Sequence, residues 1–174
     1  RARAKQVRAR VDEARSRGVK VEGLDKALAG EEASLSKLES GANEATPART
    51  QGVRSNLNGV EGELDVALSE PGVTGTNRQV TGNGEATEVD VVSREGRQWN
   101  EVKNKGPFGL ESSDWTDPKH GLDVQSKRLN NVAADPANAV EGAPPKVVVH
   151  FPRGVTPEVK AALEARGIEV RGPV

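Results

Sequence analysis

Three charged residues within one predicted β-hairpin carry the clearest chemical signal in the sequence. The segment EVDVVSREGRQWNEVKNK places Asp90 in one strand and both Glu101 and Lys103 in the next. Glu101 and Lys103 are two residues apart, so their side chains point to the same face of a strand. If Asp90 faces that side too, two carboxylates and one ammonium group converge. They would offer oxygen ligands to a hard divalent cation and a positive charge to a phosphate.

These residues are also compatible with a purely structural role. Strand interiors disfavour Asp, Glu and Lys, so three of them in one hairpin need an explanation. On an exposed sheet face they would form cross-strand ion pairs, each worth roughly 0.2–1 kcal/mol. The three residues alone leave both explanations open, and the elements around the hairpin must decide between them.

The chain around the hairpin predicts helices and strands in a definite order. Thr46-Pro47 is a strong helix start, since Thr is a favoured N-cap and Pro is favoured in the first turn. Residues 73–105 predict three strands, with Val89 and Val91 on one face of the second. Residues 106–120 predict a long loop, and residues 121–134 predict a helix with an apolar face.

The C-terminal quarter predicts a second strand–helix–strand unit. KVVVHF is a continuous apolar run, typical of a strand that is buried on both faces. Thr156-Pro157 begins a helix that Arg166-Gly167 ends, and IEVR forms the last strand. From residue 47 the order is therefore α-β-β-β-α-β-α-β, which predicts an α/β (α+β) fold with a mixed sheet and a parallel crossover.

Residues 1–45 predict a helical leader, separate from a domain over residues 46–174. Val7, Val11 and Ala14 have helical spacing, and a second apolar stripe with a period near 3.5 residues follows from Val21. This stripe is too narrow for an independent core. Basic residues dominate the first twenty positions and acidic residues the next fifty, which predicts solvated helix faces.

Composition excludes several classes of site. The chain has no Cys, no Tyr and two His among 174 residues, which excludes thiolate zinc sites, cysteine or tyrosine nucleophiles and multi-histidine metal centres. No apolar run suggests a membrane helix or a signal peptide. The absence of Met suggests a fragment of a longer polypeptide.

The combined pattern resembles the PD-(D/E)xK superfamily of restriction-endonuclease-like nucleases over roughly residues 47–170. Asp90 matches the family's aspartate, Glu101 its second acid and Lys103 its lysine, on a hairpin that a helix precedes and a helix and a strand follow. One departure is Val89, which stands where the family's motif has Pro. The resemblance implies a restriction-endonuclease-like αβββαβ core and a divalent-metal-dependent phosphodiesterase.

The resemblance also implies roles for further residues. Asp90, Glu101 and the backbone carbonyl of Val102 would bind Mg²⁺ or Mn²⁺, and Lys103 would act on the attacking water or the phosphate. A glutamate on the preceding helix often adds a metal ligand, and Glu61 lies nearer the apolar stripe than Glu63. Gln125 lies in line with the apolar residues of its helix, and it matches a glutamine that braces the site in several branches of the family.

The implied substrate is nucleic acid, with DNA preferred and RNA, tRNA especially, as the alternative. Four basic residues surround the proposed site and could contact phosphates: Lys105, Lys119, Lys127 and Arg128. The layout resembles the C-terminal toxin domains of bacterial polymorphic toxins. This implies delivery into the cytoplasm of a target cell, and a cognate immunity protein as partner.

A non-enzymatic interaction module is the competing hypothesis. In that case the hairpin charges would be surface pairs, and the N-terminal helices would dock another chain through their narrow apolar stripe. The two hypotheses differ in geometry. A nuclease requires Asp90, Glu101 and Lys103 to converge in a concave site, whereas a module permits them to diverge into solvent.

Overall fold

The structure is a computed structural model that describes all 174 residues. It contains six α-helices and five β-strands. The helices are α1 (Ala2–Ser16), α2 (Glu22–Glu39), α3 (Pro47–Ser69), α4 (Ser113–Thr116), α5 (Leu122–Ala133) and α6 (Pro157–Glu164). The strands are β1 (Gly75–Gly82), β2 (Glu85–Ser93), β3 (Gln98–Val102), β4 (Lys146–His150) and β5 (Glu169–Arg171). No helix has the length and apolar content to cross a membrane.

The strands form one mixed sheet in the order β1-β2-β3-β4-β5. The pairs β1–β2 and β2–β3 are antiparallel hairpins, and the pairs β3–β4 and β4–β5 are parallel. Parallel neighbours need a crossover connection, and these connections contain α5 and α6. The predicted mixed α/β fold and the order of its elements are confirmed; the segment predicted as a loop also contains the single-turn helix α4.

Helices cover both faces of the sheet and create two apolar clusters. Buried residues of α1, α2 and α3 pack together with Val91 of β2 and Val102 of β3. On the other face, buried residues of α5 and α6 pack with Trp99, Val147 and Val149 of the sheet. The hairpin β2–β3 therefore contributes side chains to both clusters.

The predicted boundary at residue 45 falls in the connection between α2 and α3, and the two sides of it share one cluster. Val7 and Leu24 from the first side are fully buried with Leu57 and Leu64 of α3. The start of α2 also meets the sheet, because the backbone N–H of Leu24 donates to the Thr76 hydroxyl at 3.1 Å. The division into leader and domain stays a prediction.

The uneven charge along the chain is largely paired between helices. Arginines of α1 form ion pairs with acidic residues of α2 and α3, namely Arg1 with Glu39, Arg3 with Glu61, Arg8 with Asp25 and Glu32, and Arg10 with Asp65. None of these side chains is buried, so the helix faces remain solvated as expected, and α1 lies beside helices of opposite charge.

Helix α3 is buried on two sides. One side carries the stripe predicted from the sequence, including Leu57, Val60 and Leu64, which packs with α1 and α2. The other side lies at Gly62 and faces Asn104, just beyond β3. A Cβ atom added at Gly62 would lie 2.7 Å from the Cβ atom of Asn104. The glycine thus allows α3 to approach the sheet closely.

The alternation of side chains in β2 breaks at Asp90. Val89 packs with the α5 and α6 cluster whereas Val91 packs with the α1–α3 cluster, although both were expected on one face. Thr76 pairs with Val91 and Arg78 with Val89, so the flanking register places Asn77 opposite Asp90. Asn77 has a positive φ of 46°. The change of face therefore coincides with a local distortion of the β1–β2 pairing at Asp90.

Candidate functional site

A cavity of about 320 Å³ lies between the β2–β3 hairpin and α5. The sheet contributes Thr87, Glu88, Asp90, Glu101 and Val149, the residue after β3 contributes Lys103, and α5 contributes Leu122, Gln125, Ser126, Arg128 and Leu129. The structure therefore places the three charged hairpin residues and Gln125 around one concave site. The charged residues therefore converge in a cavity and do not diverge into solvent.

Hydrogen bonds hold these side chains in place. The Nζ atom of Lys103 lies 2.5 Å from Oε1 of Glu101 and donates to Oε1 of Gln125 at 3.0 Å. Oδ2 of Asp90 accepts a hydrogen bond from the backbone N–H of Val102 at 2.7 Å. Glu101 is buried, with 8% of its surface exposed. Gln125 thus braces the lysine from the facing helix.

The Val102 carbonyl has an orientation compatible with its predicted role. The N–H and C=O groups of one strand residue point toward the same side of the strand. Because the Val102 N–H reaches Asp90, its carbonyl lies on the same side of β3 as β2. The backbone oxygen therefore lies on the side that carries the Asp90 carboxylate.

Burial is the largest electrostatic effect in the site, and it opposes the charged forms of the Asp90 and Glu63 carboxyl groups. Burial raises the pKa of Asp90 well above its usual range, and the charges of Glu101 and Glu63 raise it further, against the opposing effect of Lys103. Burial also disfavours the charged form of Lys103, but the surrounding carboxylates outweigh it and raise the pKa of this lysine. Lys103 is therefore an ammonium ion at neutral pH.

The α3 glutamate whose charge acts on Asp90 is Glu63, whereas the predicted Glu61 lies on another side of the helix. Glu61 forms an ion pair with Arg3 of α1, on the side of α3 that faces the other helices. Glu63 lies beside the sheet-facing Gly62, and burial raises its pKa to about 7. The repulsion of Glu101 adds to that shift. Distance from the apolar stripe does not predict distance from the site, because α3 has a second buried side at Gly62.

Asn77 is a residue of this region that the sequence did not single out. Its Nδ2 donates to Oε2 of Glu63 at 2.9 Å, and its Oδ1 is buried without a hydrogen-bond partner. It lies opposite Asp90 in the β1–β2 register and has a positive φ, which Asn tolerates better than most residues. An Asn within a predicted strand was the only available signal.

The donor set suits a hard divalent cation. The carboxyl groups of Glu63, Asp90 and Glu101 outnumber the one nearby ammonium group, that of Lys103. Oxygen ligands of this kind are those that Mg²⁺ prefers, with water completing the shell. No three Asp, Glu or His side chains lie close enough to form a metal-binding group as they stand. Metal binding would therefore require these side chains to approach one another.

The four basic residues predicted to contact nucleic acid lie in different places. Arg128 lines the main cavity, and Lys105 lines a second cavity at the end of β3. Lys127 forms an ion pair with Asp123 on α5 at 2.9 Å, and neither it nor Lys119 lines either cavity. Two of the four therefore belong to the site region.

A second polar network lies on the face of β3 opposite the cavity. Asn100 is fully buried; its Nδ2 donates to the carbonyl of Val91 and to the hydroxyl of Ser93, both at 2.9 Å. Its Oδ1 accepts from Gln98 and lies 2.8 Å from Nε2 of His150. Burial lowers the pKa of His150 to about 4, so the ring is neutral at pH 7. This histidine braces the sheet.

Comparisons with family models, with curated proteins and with solved structures found no match for this chain.

Proposed function

We propose that this chain is a divalent-metal-dependent nuclease of the PD-(D/E)xK type, with a restriction-endonuclease-like core and DNA as its preferred substrate. The observation that carries the proposal is the convergence of Asp90, Glu101, Lys103 and Gln125 in one cavity beside β2 and β3. Exposed ion pairs would explain the residue types but not their burial in a concave site.

Each side chain of the site would have a separate role in phosphodiester hydrolysis. A bound Mg²⁺ or Mn²⁺ would supply positive charge that polarises the phosphate and promotes deprotonation of a water. Asp90, Glu101 and the Val102 carbonyl would hold that ion, with Glu63 as a further acidic group. Lys103 stays protonated, so its role is to stabilise the negative charge that grows on the phosphate. Gln125 orients the lysine.

The proposed setting is that of an antibacterial toxin domain. It would be delivered into the cytoplasm of a target bacterium, and a cognate immunity protein would neutralise it in the producing cell. Cleavage of RNA, tRNA in particular, by the same residues is the alternative within this proposal.

The test uses purified protein with supercoiled plasmid and with total tRNA, in Mg²⁺, in Mn²⁺ and in EDTA. We expect metal-dependent cleavage of plasmid, and we expect Lys103→Ala to reduce its rate at least ~100-fold, the usual scale for a charge-stabilising group. Lys37→Ala, an exposed lysine of α2, is the matched control and should cleave like the wild type.

A second readout does not depend on catalysis. Mg²⁺ should raise the melting temperature of the wild type, because an ion that binds only the folded state stabilises it. This rise should shrink in Asp90→Asn. Cleavage of tRNA alone would move the substrate to RNA. A folded protein without metal-dependent cleavage of either substrate would favour the interaction module.

A further inference from the structure

A second cavity, of about 140 Å³, lies at the end of β3 and shares Lys103 with the main cavity. Lys105, Asp114 and His120 also line it, together with residues of α3. We propose that this second cavity binds the phosphate adjacent to the scissile one, with Lys105 as its ligand and Asp114 as the group that occupies Lys105 in the free protein. This inference rests on the proposed nuclease function and deepens it.

The shared wall places the two cavities in sequence along one substrate. Lys103 and Lys105 are two residues apart, which spans at most about 7 Å of chain. Consecutive phosphates of a nucleic-acid strand have a spacing of the same order. Because Lys103 lines both cavities and Lys105 lines the second, a strand whose scissile phosphate meets Lys103 can extend into the second cavity and present its neighbouring phosphate to Lys105.

The segment that carries both lysines is anchored rather than mobile. Nδ2 of Asn104 donates to the backbone carbonyl of Asn58 in α3 at 2.7 Å, and Gly62 packs against the same side chain. The backbone N–H of Lys103 donates to the carbonyl of His150 at 2.9 Å. The two ammonium groups thus project from a backbone that both α3 and the sheet hold.

The Asp114 carboxylate occupies the position proposed for a phosphate oxygen. Its Oδ1 lies 2.6 Å from Nζ of Lys105, and both side chains are substantially exposed. Carboxylates and phosphates are both oxygen anions that an ammonium group can bind. An exposed pair of this kind contributes little to stability, so a polyanion can displace the aspartate. The aspartate therefore weakens binding of every substrate that reaches Lys105.

The inference makes a statement about substrate size. A substrate must extend at least one nucleotide beyond the scissile bond to reach the second cavity. A small chromogenic diester, bis(p-nitrophenyl) phosphate, has a single phosphate and cannot use it. Changes at Lys105 and Asp114 should therefore alter the kinetics of an oligonucleotide more than those of this small diester.

The test uses two variants with opposite expected effects. Lys105→Ala should raise KM for a labelled oligonucleotide roughly fivefold with kcat unchanged, whereas Asp114→Asn should lower KM by a similar factor because it frees the lysine. For bis(p-nitrophenyl) phosphate the change in kcat/KM should be smaller than for the oligonucleotide in both variants, and Lys37→Ala should match the wild type on both substrates. Circular dichroism checks that both variants remain folded.

Binding in EDTA separates this inference from the proposed function. By fluorescence anisotropy, Lys105→Ala should reduce the salt dependence of oligonucleotide affinity by about 0.7 in the log–log slope, the value of one lost contact to a single strand. If the wild type cleaves but both variants have the same KM and the same salt dependence of affinity as the wild type, the second phosphate site is wrong and the proposed nuclease function is not. A wild type that neither binds nor cleaves would overturn the nuclease as well.

Discussion

At the scale of single residues, the site keeps carboxylates where burial and mutual repulsion oppose their charge. Burial raises the pKa of Glu63 to about 7, whereas an unfolded chain ionises this group near 4.5. Below pH 4.5 the Glu63 carboxyl group is protonated in both the folded and the unfolded state, so it does not lower the free energy of unfolding. Between pH 4.5 and 7 the unfolded state ionises first, so folding stability falls as the pH rises, and above pH 7 the full cost is present.

Removal of this charge should therefore stabilise the protein. We expect Glu63→Gln to increase the free energy of unfolding at pH 8 by on the order of 2 kcal/mol, and the gain should vanish near pH 4. Urea denaturation at pH 4, 6 and 8 measures it. Glu61→Gln is the matched control on the same helix, and it should give no such gain because Glu61 is paired with Arg3. Equal effects of the two substitutions would contradict this account of the site.

At the scale of elements, α3 sets the position of the lysine-bearing segment. One side of the helix packs with α1 and α2, and the side at Gly62 meets Asn104. The proposed site therefore depends on how closely this helix approaches the end of β3. A glycine within a helix lowers its intrinsic stability by roughly 0.5–1 kcal/mol relative to alanine, and close contact offsets that cost here.

Two alanine substitutions in α3 should have opposite effects. Gly62→Ala places a Cβ atom 2.7 Å from that of Asn104, so we expect a loss of about 1–3 kcal/mol in unfolding free energy and reduced cleavage. Gly52→Ala meets no atom within 4 Å and should raise the unfolding free energy by about 0.5–1 kcal/mol with unchanged cleavage. Thermal and urea denaturation measure both. A stabilising Gly62→Ala would show that α3 does not abut the sheet.

At the scale of the whole molecule, one sheet separates two apolar clusters, and residues of the first 45 positions belong to one of them. Val7, Val11 and Leu24 are fully buried there, and arginines of α1 pair with acids of the other helices. The helices of the first 45 residues therefore pack against the rest of the chain along their length.

Truncation tests what this packing contributes. A fragment over residues 46–174 would expose the stripe of α3 that contains Leu57, Val60 and Leu64. We expect this fragment to lose cooperative unfolding or to aggregate, since the area of apolar surface removed from water falls. Calorimetry of the fragment and of the full chain measures the difference. A fragment as stable as the full chain would support an independent domain from residue 46.

Sequence patterns alone predict the helices and strands, their order and the shared direction of the Glu101 and Lys103 side chains at the end of β3. These features depend on local causes: helix caps at Thr46 and Thr156, turn residues between strands, and side-chain periodicity. Tertiary structure alone decided that Glu63 rather than Glu61 acts on Asp90, and that Asn77 lies opposite it. The physical reason is that α3 has two buried sides, and a sequence stripe shows only the apolar one. The sheet-facing side is marked by glycine and by polar residues, whose burial depends on partners far away in the chain.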